Sequence, residues 1–219
     1  MPLLDAHAPH ADVTLAGESL RLLPHRAAAW RDTLLVADTH LGKSESFQSI
    51  GVPAPTTVLD ETLDRLAEAA RAAGASRLLV LGDLLHAPAG LTPGMIDRVA
   101  AWRREHPLDL AIVPGNHDRR LHTLADAWRF TIAPDRLDDG PYTFVHDPSP
   151  IPERHVIGGH LHPCVRIPNG RFPIKLPCFH LRPGVLVLPA FTAFAAGVPV
   201  RRVPHDRVFA VVEHYVIEA

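Results

Sequence analysis

Three short apolar runs constrain the fold of this chain more than any other feature of its sequence. They occupy residues 33–37 (TLLVA), 77–81 (RLLVL) and 108–113 (LDLAIV). Apolar runs of this length, without the alternation seen at a half-exposed sheet surface, are typical of strands that are buried on both faces. We therefore predict that the three runs are central strands of a sheet that is covered on both sides.

Two helices are predicted between these strands. Residues 56–73 carry apolar side chains at helical spacing, with Thr56 or Thr57 as the N-cap and Gly74 as the stop. The second helix begins after Thr92, and its inward stripe consists of Met95, Ile96, Val99 and Trp102. Strand and helix therefore alternate through this part of the chain, as they do in α/β proteins.

The remaining segments predict more strands and a second sheet. Residues 13–15 and 20–23 are predicted to open the fold as a hairpin. Four short strands, separated by proline-rich loops, are predicted at residues 142–145, 155–157, 185–188 and 208–212. We predict an α/β fold, a four-layer αββα sandwich of two mixed sheets flanked by helices. We expect one domain over residues 1–219, with residues 1–11 as a flexible tail and no separate capping domain.

The composition excludes several classes of protein. The 219 residues contain 22 Lys+Arg and 24 Asp+Glu, so no overall basic field attracts nucleic acid, and any polyanion must be captured locally. Cys164 and Cys178 are too few for a disulfide scaffold, and we expect both to be reduced. No export signal is apparent, and prolines and glycines interrupt the uncharged residues 183–200. We expect a cytoplasmic protein.

Residues that can bind metals follow five of the predicted strands. The carboxyl ends of strands are where α/β sheets bind ligands, so these side chains are predicted to share one crevice. They are Asp38 and His40, Asp83, Asn116 with His117 and Asp118, His146, and His160 with His162. Imidazole, carboxylate and amide oxygen without thiolate indicate a catalytic transition metal rather than a closed structural zinc. A single D-x-H or H-x-H pair at a strand end is more often a surface feature than a set of metal ligands. Five matches in the required order, however, strongly indicate a metal site.

This set of residues can hold two metal ions. Asp38 and His40 are two residues apart, as are His160 and His162, so each pair can face one side of the crevice. Asp83 has two oxygens and could bridge ions about 3.5 to 4 Å apart, the separation that clamps one phosphate. Two divalent ions and two carboxylates leave a positive site that attracts a phosphodiester. Because bound metals lower the pKa of water to about 7, a metal-bridging hydroxide could attack phosphorus without a protein nucleophile.

The motifs D-x-H, GD, GNHD, H and GHxH, in this order from Asp38 to His162, resemble those of the calcineurin-like binuclear metallophosphoesterases. Within that superfamily, residues 37–43, 81–86 and 188–191 are similar to the bacterial ligase-associated DNA damage response endonucleases. The D-x-H-L-G start is also similar to the nuclease subunits of double-strand-break repair complexes. Those subunits carry a capping domain, for which the 57 residues after His162 leave no room.

The resemblance implies a role for each residue of the motifs. One metal would be bound by Asp38, His40 and His162, and the other by Asn116, His146 and His160, with Asp83 bridging. His155 is a rival to His146, because relatives have Gly at the position before this histidine and this chain has Val145.

The resemblance also implies a catalytic pair. His117, hydrogen-bonded to Asp118, would face the substrate phosphate. It would stabilise the developing charge or protonate the leaving group.

Four further residues are weaker candidates for contacts with the substrate. Lys43 lies in the loop after His40, Arg119 and Arg120 follow GNHD, and His86 follows Asp83 by three residues. Each of them also has an ordinary structural explanation. Lys43 can be an exposed loop lysine, Arg119 and Arg120 can be the solvated start of a helix, and His86 can be a loop histidine whose hydrogen bonds are made within the protein.

The sequence therefore predicts a metal-dependent DNA endonuclease, a hydrolase that cuts internal phosphodiester bonds during DNA repair. The resemblance implies two divalent ions, most readily Mn²⁺, with Zn²⁺, Fe²⁺, Ni²⁺ or Co²⁺ as alternatives. It implies single-stranded, nicked or structured DNA as the substrate, association with a DNA ligase and helicase, and a monomer or homodimer. The alternatives are a small-molecule phosphodiesterase, a phosphomonoesterase or nucleotide hydrolase of the same superfamily, and a non-catalytic interaction scaffold.

Overall fold

In the computed structural model, which describes residues 9–168 and 171–219, two mixed β-sheets pack face to face. The predicted α/β class and the pair of mixed sheets are confirmed. Residues 1–8 of the predicted tail lie outside the described residues, and Ala11 already belongs to the first strand. None of the described helices has the length and apolar composition needed to cross a membrane.

The first sheet has seven strands in chain order. They are β1 (Ala11–Leu15), β2 (Glu18–Leu23), β3 (Ala27–Trp30), β4 (Thr33–Val36), β5 (Arg77–Leu81), β6 (Asp109–Val113) and β7 (Thr131–Ile132). Strands β1 to β4 form an antiparallel meander, and β4 to β7 run parallel. The predicted hairpin and the three predicted central strands are confirmed.

Four α-helices lie among these strands. They are α1 (Lys43–Ser49), α2 (Val58–Ala73), α3 (Pro93–Glu105) and α4 (Ala125–Trp128), with 3-10 turns at Pro88–Gly90 and Leu121–Thr123. Helices α2 and α3 confirm the predictions: α2 ends at Gly74 with φ 64°, and the Met95 amide donates to the Thr92 hydroxyl at 3.2 Å. The prediction of a loop at Lys43 is wrong, because this residue begins α1.

The second sheet has nine strands. Its main path is β14 (Val198–Pro199), β11 (Pro163–Ile167), β12 (Ile174–Arg182), β13 (Val185–Val187), β10 (His155–Gly158), β9 (Tyr142–Val145) and β8 (Arg136–Asp139). Strand β15 (Arg207–Val212) pairs with β12, and β16 (Tyr215–Glu218) pairs with β15. All four predicted strands are present, whereas the long β12, with Pro177 inside it, was not predicted.

Burial divides the molecule into layers. One face of the first sheet packs on α2 and α3, for example Leu78 and Val80 with Leu66. Its other face, with Leu79 and Leu81, packs on the second sheet. The outer face of the second sheet packs on the loop between β9 and β10.

Among the described residues, the segment that packs on this outer face is a loop rather than a helix. Pro148, Pro150 and Pro152 disfavour a helix in this loop, because proline in a helix interior removes a hydrogen bond and clashes with the preceding turn.

Candidate metal centre

The carboxyl ends of five strands from both sheets meet at one edge of the sandwich. The first sheet contributes Asp38 and His40 after β4, Asp83 after β5, and Asn116 and His117 after β6. The second sheet contributes His146 after β9, and His160 and His162 after β10. Two groups have ligand atoms that all lie within 4.8 Å of one another: Asp38, His40 and His162, and Asp83, His146 and His160. The structure thus brings together the residues that the sequence predicts as ligands.

In the first group, one carboxylate oxygen of Asp38 is left free for a ligand. Its Oδ2 accepts a hydrogen bond from the His160 backbone N–H at 2.8 Å. Its Oδ1 is buried, has no hydrogen-bond partner and lies 3.3 Å from His162 Nε2. His162 Nε2 is in turn 3.5 Å from His40 Nε2. Three potential ligand atoms therefore converge, and one of them is a buried oxygen without a donor.

In the second group, the His146 ring is oriented by the main chain. Its Nδ1 lies 3.1 Å from the Leu81 carbonyl oxygen and donates to it, which leaves Nε2 with a lone pair when the ring is neutral. That Nε2 lies 3.0 Å from Asn116 Oδ1 and 3.0 Å from His160 Nδ1. The structure places His146 here, whereas the rival His155 lies at the start of β10, opposite Tyr142 at the far end of β9.

Asp83 lies between the two groups. Its Oδ2 is 4.0 Å from His40 Nε2 in one group and 3.5 Å from His146 Nε2 in the other. Its Oδ1 accepts a hydrogen bond from the His117 backbone N–H at 2.9 Å, which fixes the orientation of the carboxylate. This position is the one that a bridging carboxylate requires.

The backbone at the site is strained. Asp38, His40, Asp83, His160 and His162 have positive φ values of 55°, 46°, 51°, 64° and 45°. Each residue in this left-handed region costs about 1 to 3 kcal/mol, and such strain clusters at functional sites.

Two glycines allow the loops to approach the carboxylates. A Cβ on Gly115 would collide with Asp83, and a Cβ on Gly159 would collide with Ala37 and Asp38. The tight packing of these loops therefore depends on glycine at both positions.

His40 is uncharged at neutral pH. Burial, together with the neighbouring His162, lowers the pKa of its imidazole to about 3. Burial also lowers the pKa of the His86 ring beside it. Neutral imidazole is the form that binds a metal ion, so His40 needs no deprotonation before binding.

The predicted hydrogen bond between His117 and Asp118 is wrong. His117 Nδ1 lies 2.7 Å from the His86 carbonyl oxygen, and His117 Nε2 lies 4.0 Å from Asp83 Oδ2. The Asp118 carboxylate instead accepts hydrogen bonds from three backbone amides, those of Leu84, Leu85 and Gly115. Asp118 therefore ties the loop after β5 to the loop after β6. The partner of His117 is a main-chain carbonyl, which no sequence pattern reveals.

The residues predicted to contact the substrate have different surroundings. The His86 ring stacks on His117, with centroids 5.6 Å apart, and on Phe47, with centroids 5.9 Å apart. The Lys43 ammonium lies 5.3 Å from the Phe194 ring centroid. Arg119 and Arg120 are exposed beside the site. His86, His40 and His117 form a third group of converging imidazoles, which the sequence analysis did not predict.

No protein-family model and no curated protein matches the chain. Among solved structures, the chain is similar to the crystal structure of Pseudomonas putida nuclease MPE, with a TM-score of 0.84 and 29% sequence identity. The match covers 96% of this chain and 100% of the nuclease. The similarity therefore extends over nearly the whole chain.

Proposed function

We propose that this protein is a metal-dependent nuclease that hydrolyses internal phosphodiester bonds of DNA. The observation that carries the proposal is the pair of ligand groups on either side of Asp83, at the carboxyl ends of strands from both sheets. The similarity of nearly the whole chain to a nuclease supports it. The motif resemblance supports the finer assignment to the binuclear metallophosphoesterases and, among them, to the ligase-associated endonucleases.

The residues present fit two divalent cations. Asp38 Oδ1 is buried without a donor, and the lone pair of His146 Nε2 faces the Asn116 amide oxygen at 3.0 Å. Lone pairs facing one another at this distance repel, and a bound cation removes the repulsion. One ion would be held by Asp38, His40 and His162. The other would be held by Asn116, His146 and His160, and Asp83 would contact both ions. The mixture of oxygen and imidazole ligands suits Mn²⁺, and also Zn²⁺, Fe²⁺, Ni²⁺ and Co²⁺.

When bound, the two ions would supply positive charge to the scissile phosphate and lower the pKa of water at the site. The protein contributes His117, whose Nδ1 donates to the His86 carbonyl and whose Nε2 faces the centre. Protonated at Nε2, this ring can stabilise charge on the phosphate oxygens or give its proton to the leaving alkoxide. The thiols are unsuited to nucleophilic attack, because burial raises the pKa of Cys164 and raises that of Cys178 to about 12.

The position of the centre favours a polymer as the substrate. Asn116 and His160 are exposed at the sheet edge, and Arg119 and Arg120 lie exposed on its rim. A chain of phosphodiesters can therefore reach the centre from solvent without threading into a closed pocket.

A small phosphoester is the second candidate substrate. A cleft of about 150 Å³ adjoins His162 and is lined by Arg26 and Lys175. A cleft of this size can hold the phosphate group of a small ester, and it is smaller than the pockets that enclose drug-sized ligands. The non-catalytic scaffold is disfavoured, because every residue of the motif set is present at the centre.

Following the motif resemblance, we assign the activity to DNA repair beside a DNA ligase and helicase. A comparison of substrates and metals tests the proposal. The purified protein is incubated with circular single-stranded DNA, supercoiled DNA, a bis-aryl phosphate and a mono-aryl phosphate, each with Mn²⁺, Zn²⁺, Ni²⁺, Co²⁺ or Mg²⁺. We expect cleaved circles, preference for the diester over the monoester, and highest activity with Mn²⁺.

Matched variants distinguish the activity of this protein from that of a contaminating nuclease. Asp83→Asn should abolish cleavage, whereas Asp97→Asn, an exposed residue on α3, should leave it unchanged. Preference for the monoester would support the second candidate, and hydrolysis of neither ester with any metal would contradict catalysis altogether.

A further inference from the structure

A long acid-free segment surrounds the last two candidate ligands. Residues 154–205 contain no Asp or Glu, although the chain has 24 such residues. The same segment contains seven basic residues: Arg154, Arg166, Arg171, Lys175, Arg182, Arg201 and Arg202. The chain has a net charge of −2, so positive charge is concentrated in this part of the molecule.

The β11–β12 hairpin, formed by Pro163–Ile167 and Ile174–Arg182, brings like charges together. In its register Arg166 lies directly opposite Lys175, so the two cations share one face of the hairpin. Like charges directly opposite each other destabilise a sheet. Among the described residues, no carboxylate lies within 4.0 Å of either cation, although Arg77, Arg98 and Arg207 elsewhere form such pairs. An anionic ligand would relieve this repulsion.

The cationic face of the hairpin continues into the candidate metal centre. Lys175, Cys164 and Pro177 of the hairpin line the cleft of about 150 Å³ that His162 also lines. Arg26 lies in the same cleft, where its guanidinium donates to the Thr192 carbonyl oxygen at 2.7 Å. A continuous positive surface therefore extends from the candidate ligand His162, through the cleft, to Lys175 and Arg166.

An aromatic ring is exposed just before strand β12 of the hairpin. Phe172 is 75% exposed, more than any other large hydrophobic residue of the described part, and the Arg171 guanidinium lies 5.9 Å from its ring centroid. An exposed ring beside a cation is the combination on which unpaired bases stack. Bases inside a duplex are not available for such stacking.

We propose that the β11–β12 hairpin and the adjoining cleft bind a single strand of nucleic acid on the His162 side of the scissile phosphate. Lys175 and Arg166 contact successive phosphates, and Phe172 stacks on an unpaired base. The inference rests on the proposed nuclease function, and it identifies the surface that holds an unpaired strand, a substrate that the motif resemblance already implies.

The test compares two double variants that remove the same charge. Arg166→Ala/Lys175→Ala alters the hairpin, and Arg71→Ala/Arg104→Ala removes two exposed arginines from α2 and α3. Binding of a fluorescent thymidine 12-mer is measured by anisotropy in EDTA between 50 and 300 mM salt. Hydrolysis of a bis-aryl phosphate with Mn²⁺ is measured separately on the wild type and the control variant, because this small diester reports catalysis without binding of a polymer.

The hairpin variant should bind the oligonucleotide about 10- to 100-fold more weakly at low salt. The slope of log K against log salt should decrease by about 1.4, since each contact to a single strand contributes about 0.7. Phe172→Ala should weaken binding about 5- to 100-fold with an unchanged slope. The control variant should bind like the wild type and hydrolyse the bis-aryl phosphate at the wild-type rate.

Unchanged oligonucleotide binding by the hairpin variant would overturn the inference. A duplex bound as tightly as the single strand, and weakened equally by Phe172→Ala, would overturn the assignment to unpaired substrate. If the wild type fails to hydrolyse the bis-aryl phosphate, the proposed function fails. The binding measurements still decide the inference, because they require no catalysis.

Discussion

At the scale of single residues, His117 is held at one ring nitrogen and free at the other. Its Nδ1 lies 2.7 Å from the His86 carbonyl, and its ring is stacked on His86. The side chain is 39% exposed, so the free Nε2 can meet a substrate. These contacts fix the ring without making it part of either proposed set of metal ligands.

We predict that His117→Ala keeps both metals and loses most of its activity. A well-placed general acid contributes about 10²- to 10⁴-fold, and that factor should be lost from kcat. Metal content by elemental analysis and hydrolysis of a bis-aryl phosphate provide the measurements. Full activity of the variant would remove His117 from the mechanism.

Asp118 should contribute to stability rather than to proton transfer. Its carboxylate accepts hydrogen bonds from the amides of Leu84, Leu85 and Gly115. Asp118→Asn removes the charge from these bonds and turns an NH₂ group towards amide donors. The free energy of unfolding should fall by about 1 to 3 kcal/mol in urea titrations, with Asp97→Asn as the control. A stability equal to that of the wild type, with activity lost, would restore the predicted catalytic pairing with His117.

The convergence of the candidate ligands could be predicted from the sequence because each one follows an apolar strand, and parallel strands bring their carboxyl ends together. The orientation of His117 could not be predicted, because its partner is the backbone of residue 86. The left-handed backbone conformations of Asp38 and His40 could not be predicted from the sequence either, because only tertiary contacts impose them.

At the scale of secondary-structure elements, the two long helices begin in different ways. The Thr92 hydroxyl accepts a hydrogen bond from the Met95 amide, as an N-cap does. The Thr57 hydroxyl instead donates to the Glu61 carboxylate at 2.6 Å and caps no backbone amide. The same residue type therefore has different consequences at the two positions.

This difference predicts unequal effects of the same substitution. Thr92→Ala should lower the free energy of unfolding by about 1 kcal/mol, because an amide of α3 loses its partner. Thr57→Ala should cost only a few tenths of a kcal/mol, in the range of an exposed helix pair. Urea unfolding of the two variants measures both values, and equal losses would contradict the capping geometry.

Helix α1 and strand β12 show where prediction from sequence reaches its limit. Helix α1 has seven residues with no apolar periodicity, and it follows Gly42, where a Cβ would lie 2.8 Å from the Gly90 carbonyl oxygen. Its position depends on this close approach of two distant loops. Strand β12 tolerates Pro177 in its interior, a residue that normally argues against a strand.

At the scale of the whole molecule, Tyr142 joins the two sheets. It lies in β9 of the second sheet, and its hydroxyl donates to the Leu15 carbonyl oxygen of β1 at 2.9 Å. Its ring packs edge-on against Trp30 of the first sheet, with centroids 5.0 Å apart. Burial raises the pKa of this phenol to about 12.

The raised pKa predicts a loss of stability in alkali. Between pH 10 and 12 the folded protein keeps the Tyr142 proton, whereas the unfolded chain has released it, so stability falls as the pH rises. The Tyr142→Phe variant has no phenol hydroxyl, so its stability lacks this dependence on pH. The advantage of the wild type over the variant in urea unfolding should therefore shrink between pH 9 and pH 11. An advantage that is constant or grows with pH would contradict the burial of this hydroxyl.

The central claim is that Asp83 joins two metal sites built from both sheets. Anomalous diffraction from a crystal grown with Mn²⁺ tests it most directly. We expect two peaks about 3.5 to 4 Å apart on either side of Asp83 Oδ2, one contacting Asp38 and the other Asn116. An empty cleft at saturating Mn²⁺, or a single peak that Asp83 does not contact, would contradict the account.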